Sequence, residues 1–249
     1  TAGERIETLQ ALLDRGLPAE RLLVGTGAAA LPDLVQLTSA VTDAGGGGAL
    51  VLPPFHFKES SDAGVHRTYD TLVQRVGSND LQLYFYHFPQ LSGVPIAFSV
   101  IERLRSAYPD QIAGIKDSSG EWDHTQALCR SFPALQVFAG TERLLLPVLQ
   151  AGGAGCISAS ANVTAPLAQR VQAAWTEDAA GGNAETLQDT LSDLRTTLAS
   201  FPMIAALKAL LAERRGVPSW RITRPPLTNL SPEELGRLSA VNEKLDSHL

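Results

Sequence analysis

The residue with the sharpest chemical signal is Lys116. It ends an apolar run, Ile112-Ala113-Gly114-Ile115, and precedes a small polar turn, Asp117-Ser118-Ser119-Gly120. A cation at the end of such a run is costly to desolvate, so a lysine there calls for a purpose. The chemistry that uses it is attack of a neutral amine on the carbonyl of a 2-oxo acid, giving a carbinolamine and then an imine. An unperturbed lysine, with a pKa of about 10.4, is neutral less than ~0.1% of the time at pH 7. Burial lowers an amine's pKa and raises its nucleophilic fraction. Once formed, the imine withdraws electrons and lets an adjacent C–C bond break or form. The plain alternative is a lysine that runs its stem along the strand end and keeps its ammonium in water.

Tyr86 is the second signal, in the run Tyr84-Phe85-Tyr86-His87-Phe88-Pro89. A phenol beside an imine-forming lysine can carry protons to and from a substrate hydroxyl. An aromatic filling the core is the competing reading. Tyr84 faces the same way as Tyr86 by alternation, so spacing does not choose between them. Gly25-Thr26-Gly27 and Gly140-Thr141-Glu142 each follow an apolar run. Their glycines would let a ligand approach the backbone, and exposed N–H groups there can hold a carboxylate, although tight turns explain them as well. His56, in Pro54-Phe55-His56-Phe57-Lys58, stands on a loop at the same end of the elements. The nucleotide, zinc-protease and serine-hydrolase motifs G-x-x-x-x-G-K-[ST], H-E-x-x-H and G-x-S-x-G are all absent.

Elements of regular period must hold these residues. Short apolar runs at Arg21–Val24, Ala49–Leu52, Leu81–Tyr86, Ile112–Ile115, Leu135–Phe138 and Gly155–Ile157 fit strands buried on both faces. Helical periodicity fills the intervals, at Leu31–Ala44, Ser61–Val76, Ile96–Ala107, Trp122–Ser131 and Arg143–Ala151. Strand–helix alternation implies βαβ units, a parallel sheet and right-handed crossovers. Beyond Pro166 the pattern is helical throughout, at Leu187–Leu198, Ile204–Arg214 and Glu233–Leu245. Six such strand units suit either an open doubly wound sheet or a barrel of eight strands, of which two would precede Thr1.

Composition narrows the partners. The formal charge is −6 and the pI about 5.4, with no basic stripe of the kind a nucleic-acid partner demands. Two cysteines, Cys129 and Cys156, are too few for a disulfide framework and have no metal-ligand neighbour at C-x-x-C or C-x-x-H spacing; they suit a reducing, cytoplasmic compartment. Thr1–Gln10 reads as an amphipathic helix rather than a leader, and the uncharged part of Leu144–Gln169 is interrupted by Gly152, Gly153, Gly155 and prolines, so it fails as a membrane span. A soluble protein is expected.

Taken together, Tyr86-His87-Phe88-Pro89 and Gly114-Ile115-Lys116-Asp117-Ser118-Ser119-Gly120 resemble the dihydrodipicolinate synthase / N-acetylneuraminate lyase superfamily of class I aldolases. Gly25-Thr26-Gly27, Gly140-Thr141-Glu142 and Gly153-Ala154-Gly155-Cys156-Ile157-Ser158, leading to Ala161-Asn162, agree with it in order and spacing. The resemblance implies an α/β fold, a (β/α)8 TIM barrel with a C-terminal helical region. Residues 1–165 would form the barrel from the helix after its second strand, and 166–249 the last barrel helix and the appended helices. It implies Lys116 as the Schiff-base lysine and Tyr86 as its proton-shuttling partner, with Gly140 and Ile157 lining the pyruvyl pocket. It further implies no metal or other cofactor, pyruvate or another 2-oxo acid and an aldehyde as substrates, and a homo-oligomer, dimer or tetramer. His56 and Glu142 are the positions assigned to the aldehyde half.

Three departures bear on substrate. The family's Gly-Thr-Thr-Gly-Glu block, whose hydroxyls bind the pyruvate carboxylate, would lie upstream of Thr1. Leu91 stands where the synthases carry a carboxylate-gripping arginine, and leucine cannot do that. Phe55-His56 replaces a tandem tyrosine, and Ala159 a serine of the sialic-acid lyases. A lyase of 2-keto-3-deoxy sugar acids or 4-hydroxy-2-oxo acids fits these departures best. Dihydrodipicolinate synthase activity is the runner-up, and a non-catalytic 2-oxo-acid-binding relative the reading of another class.

Overall fold

The computed structural model describes residues 1–177 and 182–246. Helices and strands alternate as α1 (Ala2–Asp14), β1 (Leu23–Gly25), α2 (Leu31–Asp43), β2 (Gly48–Val51), α3 (Asp62–Val76), β3 (Leu83–His87), a short α4 (Pro89–Ser92) and α5 (Phe98–Ala107). There follow β4 (Ile112–Asp117), α6 (Trp122–Ser131), β5 (Gln136–Ala139), α7 (Leu145–Gln150) and β6 (Gly155–Cys156). The C-terminal region is helical: α8 (Ala161–Glu177), α9 (Gly182–Ala199), α10 (Met203–Arg215) and α11 (Pro232–Asp246).

All six expected strands form, and they hydrogen-bond in chain order from β1 to β6. The β1–β2, β2–β3 and β3–β4 pairs are parallel. Sequential order with helical crossovers is the barrel-type reading; a doubly wound sheet would reverse its order at a switch point. The chain forms two compact units, Thr1–Phe138 and Ala139–Leu249. The division expected at 165/166 falls inside α8, which accommodates Pro166.

In the first unit, α3 shows how sequence makes the layer. Ser61 caps its start by accepting the Gly64 N–H, and Gly77 ends it in the left-handed region at φ 62°. Val65, Tyr69, Leu72 and Val73 form its inward stripe. Tyr69 is fully buried, donates to the Val51 carbonyl at 3.1 Å and meets Phe85 edge-on at 4.9 Å. Burying a side chain such as Leu72 or Phe85 contributes about 1.5–3 kcal/mol.

Glycines decide where Tyr84 sits. A Cβ on Gly48 would come within 2.5 Å of the Tyr84 ring, and one on Gly114 within 2.6 Å of the same ring and closer still to the Gln136 carbonyl. The bare backbones on both neighbouring strands therefore make room for this one aromatic, whose hydroxyl donates to Gln136 Oε1 at 3.1 Å. Tyr84 is 7% exposed, and burial raises its pKa above the ordinary phenol value.

The second unit is built from α8 to α11 around Leu167, Val171, Leu191, Leu194, Leu210 and Leu245. Gln188 is buried among them: its side chain accepts the Leu146 N–H at 2.9 Å and donates to the Glu142 carbonyl at 2.9 Å. Among the described residues no single helix is long and apolar enough to cross a membrane.

Candidate active site

Lys116 and Tyr86 are register partners on β4 and β3, as are the next residues, Asp117 and His87. Strand alternation puts Lys116 and Tyr86 on one face of the sheet, with Asp117 and His87 on the other. The ladder continues past the apolar run because the Ser118 N–H donates to the His87 carbonyl at 2.7 Å. Both members of the first pair are half-buried. Lys116 Nζ donates to the Tyr86 hydroxyl at 3.0 Å and lies 4.1 Å from the centre of its ring. Phe88 stacks on that ring at 5.9 Å. The two tyrosines that spacing leaves equivalent thus have different surroundings: Tyr84 is committed to Gln136, and Tyr86 meets the lysine.

The opposite face carries a polar cluster that the sequence reading does not single out. Asp117 is 2% exposed; it accepts from Thr125 Oγ1 at 2.6 Å and the Ser119 N–H at 3.0 Å, and His124 Nδ1 lies 3.0 Å away. Burial pushes its pKa up, but the bonds from His124, Thr125 and Ser119 outweigh that and hold it below the ordinary carboxylate value. His87 is buried, and its Nδ1 accepts the Ile96 N–H at 3.2 Å. Desolvation lowers its pKa to about 4, against an opposing pull from Asp117 and with a small further push from His124. The ligand atoms of His87, Asp117 and His124 lie within 4.8 Å of one another. The imidazoles, however, stack at 4.5 Å and 17°, so their lone pairs run side by side instead of converging as metal ligands must. The cluster is a hydrogen-bonded brace behind the strand ends that carry Lys116 and Tyr86. Its signal in the sequence is period 2 at two of its members: His87 directly follows Tyr86, and Asp117 directly follows Lys116.

The loops after β2, β3 and β4 are tied to one another. Lys58 Nζ donates to the Ser92 carbonyl at 2.7 Å, and Gln90 Nε2 to the Ser119 carbonyl at 2.5 Å. His56 lies exposed on the first of these loops with its ring edge-on to Phe57 at 5.2 Å. Phe57 and Leu91 are each 64% exposed. The Gly25-Thr26-Gly27 turn is held from α1, where Arg5 donates to the Gly25 and Gly27 carbonyls at 2.5 and 3.2 Å.

The second unit holds Gly140, Glu142 and Ile157. Gly140 and Ile157 are half-buried, and the Ile157 N–H donates to the Ala139 carbonyl at 2.8 Å. Glu142, assigned from the sequence to the aldehyde half, is 0% exposed. Its carboxylate accepts from Ser158 Oγ, from Ser160 Oγ at 2.9 Å and from Thr164 Oγ1 at 2.8 Å, with Arg195 Nε at 3.5 Å. Both oxygens are taken up internally, so Glu142 anchors the turn after β6 and reaches no solvent-facing ligand. Its partners lie 16 to 53 residues further on, in segments that no local pattern connects to it.

Known proteins resemble this chain over most of its length. A family model described as the dihydrodipicolinate synthetase family matches residues 19–245. An uncharacterized DapA-like lyase of Chloroflexus aurantiacus is 35% identical over 246 residues, covering 98% of this chain and 80% of the relative. A 4-hydroxy-tetrahydrodipicolinate synthase of Thermus thermophilus is 29% identical over 255 residues, again covering 98% and 80%. Among solved structures, a dihydrodipicolinate synthase from Agrobacterium tumefaciens superposes with a TM-score of 0.82 at 26% identity, covering 100% of this chain and 82% of that one. An N-acetylneuraminate lyase from Fusobacterium nucleatum shares the fold, with a TM-score of 0.85 at 22% identity over 98% and 81% of the two chains. The chain belongs to the dihydrodipicolinate synthetase family, within the class I aldolases and lyases that work through a Schiff base.

Proposed function

We propose that Lys116 is the Schiff-base nucleophile of a lyase acting on pyruvate-yielding 4-hydroxy-2-oxo acids, among them 2-keto-3-deoxy sugar acids, with Tyr86 as its acid–base partner. The observation that carries this reading is the 3.0 Å contact between Lys116 Nζ and the Tyr86 hydroxyl. The neutral amine adds to the C2 carbonyl, and the carbinolamine loses water to give an imine. Tyr86 removes the proton of the 4-hydroxyl as the C3–C4 bond breaks, and the electron pair passes into the imine as an enamine. The aldehyde leaves, the enamine takes a proton at C3, and water releases pyruvate from Lys116. Positioning matters here as much as reactivity, because a general base works only within hydrogen-bond reach of its proton.

By the family resemblance, Gly140 and Ile157 contribute backbone to the pyruvyl half, while His56, exposed after β2, meets the aldehyde half. Glu142 acts at a distance, by fixing the Ser158–Ser160 turn. The reading includes a cytoplasmic homo-oligomer, a dimer or tetramer, that needs no metal or other cofactor. The synthase reading draws support from relatives such as that of T. thermophilus, but the exposed Leu91 offers no charge for a carboxylate-bearing aldehyde.

The test is pyruvate release from a panel of 4-hydroxy-2-oxo acids, with condensation of pyruvate and aspartate semialdehyde assayed in parallel. Turnover of the panel that vanishes in Lys116→Ala supports the lyase; turnover confined to the semialdehyde moves the assignment to the synthase. Binding of 2-oxo acids without turnover of either leaves the non-catalytic relative.

A further inference from the structure

Lys116 and Tyr86 belong to different strands, so the distance between them is set by whatever fixes the ends of β3 and β4 to each other. One tie is the bond from the Ser118 N–H to the His87 carbonyl. Both strands end here, and backbone at the end of an element opens more readily than backbone in its middle. On the opposite face of the sheet, one side chain of α6 reaches the sequence neighbour of each member of the pair. That side chain is His124.

Its two contacts differ in kind. His124 Nδ1 lies 3.0 Å from Asp117 Oδ2, beside Lys116. Asp117 is held ionised and can only accept, so the proton of this bond sits on His124 Nδ1. The ring of His124 stacks on that of His87, beside Tyr86, at 4.5 Å and 17°. His87 is itself anchored, because its Nδ1 accepts the Ile96 N–H, which leaves its own proton on Nε2. Burial keeps His87 neutral near pH 7, with a pKa of about 4, so the stack never sets two cations face to face there.

The surroundings hold His124 still. Phe98 of α5 meets its ring edge-on at 5.5 Å. Helix α6 begins without a side-chain cap at Glu121, and Asp117 grips its first turn instead, accepting from Thr125 Oγ1 at 2.6 Å. His124 carries that grip across to the end of β3. The His124 side chain is 27% exposed, more than a residue whose task is to fill the core.

We propose that His124 is a positioning residue. By bonding Asp117 and stacking on His87, it keeps the ends of β3 and β4 in the register that holds Lys116 Nζ at the Tyr86 hydroxyl. It touches neither reacting group and acts through the strand ends. The inference rests on the reading of Lys116 and Tyr86 as the reacting pair. A misplacement of about 1 Å at such a pair can lower a rate by on the order of a hundredfold.

Two variants separate the contacts. His124→Asn keeps an N–H donor for Asp117 and removes the ring; His124→Phe keeps the ring and removes the donor. The readout is the rate at which pyruvate is trapped on Lys116, followed by intact mass, with cyanoborohydride in excess so that imine formation limits. Urea midpoints establish that each variant is folded under the assay conditions, and either variant alone suffices for the comparison. The expected result is a maximal rate lower by about tenfold or more in at least one variant, with the half-saturating pyruvate concentration little changed. In a Tyr86→Phe background the same substitution is expected to cost less than about threefold, because the contact it serves is already gone. A general weakening of the fold would cost the same factor in both backgrounds. Trapping within about threefold of wild type in both variants, or an undiminished loss in the Tyr86→Phe background, overturns the positioning role while leaving Lys116 as nucleophile. A wild-type protein that forms no Lys116 adduct overturns the reading of the pair and this inference with it.

Discussion

Replacing Tyr86 with phenylalanine removes one atom from the candidate pair. The ring stays, with its stack on Phe88 at 5.9 Å and its place 4.1 Å from Lys116 Nζ, so packing is preserved. What is lost is the hydroxyl at 3.0 Å from the amine. If that hydroxyl only steadies the lysine, the loss is one hydrogen bond of about 0.5–1.5 kcal/mol, which lowers the rate by about tenfold at most. If it transfers protons, the loss is ~10²–10⁴-fold, or about 2.7–5.4 kcal/mol in the transition state. The two ranges do not overlap, so steady-state pyruvate release decides. The expected result for Tyr86→Phe is kcat down at least a hundredfold, KM for the 2-oxo acid little changed, and trapping of pyruvate on Lys116 retained over a longer incubation. Tyr84→Phe serves as the control: its hydroxyl serves Gln136, so kcat is expected within about threefold of wild type. A Tyr86→Phe enzyme within tenfold of wild type would refute the proton-transfer role.

Three further outcomes follow from the packing and the buried charges. Gly114→Ala forces a methyl group into the Gln136 carbonyl and the Tyr84 ring, and is expected to destabilise by about 1–3 kcal/mol or more, read as a lower urea midpoint. His87 is held neutral with a pKa of about 4 when folded and near 6.5 when unfolded, so the unfolded chain binds the proton first as pH falls. Stability is therefore expected to be full above pH 6.5 and to drop between 6.5 and 4, by on the order of 3 kcal/mol; His87→Asn should flatten urea midpoints measured across that window. Burial, with help from Glu142, pushes the Cys156 thiol up to about 12, so iodoacetamide at pH 8 is expected to leave it unlabelled until denaturant is added, as peptide mass spectrometry would show.

The strands were legible because strands buried on both faces read as continuous apolar runs, and β2 is buried at every position. Their ends were less so. β3 and β4 run on to His87 and Asp117, polar residues whose place in the ladder depends on a long-range bond from Ser118. The four-residue α4 is too short to show a helical period. Lys116 stands out in the sequence as a charge at the end of an apolar run and the family resemblance picks Tyr86, whereas alternation alone does not show that Tyr86 and not Tyr84 meets the lysine; room for Tyr84 comes from Gly48 and Gly114 on two other strands. The role of Glu142 was not legible at all. A glutamate after a strand looks like a ligand-facing group, and only Ser158, Ser160, Thr164 and Arg195 show it to be an internal anchor.

The most direct test is borohydride reduction of the protein in the presence of pyruvate, followed by peptide mass spectrometry on wild type and Lys116→Ala. A reduced pyruvyl adduct on the Lys116 peptide, absent from the variant, is the predicted result. An adduct on another lysine, or none with any 2-oxo acid, would contradict the assignment of Lys116 as the Schiff-base nucleophile.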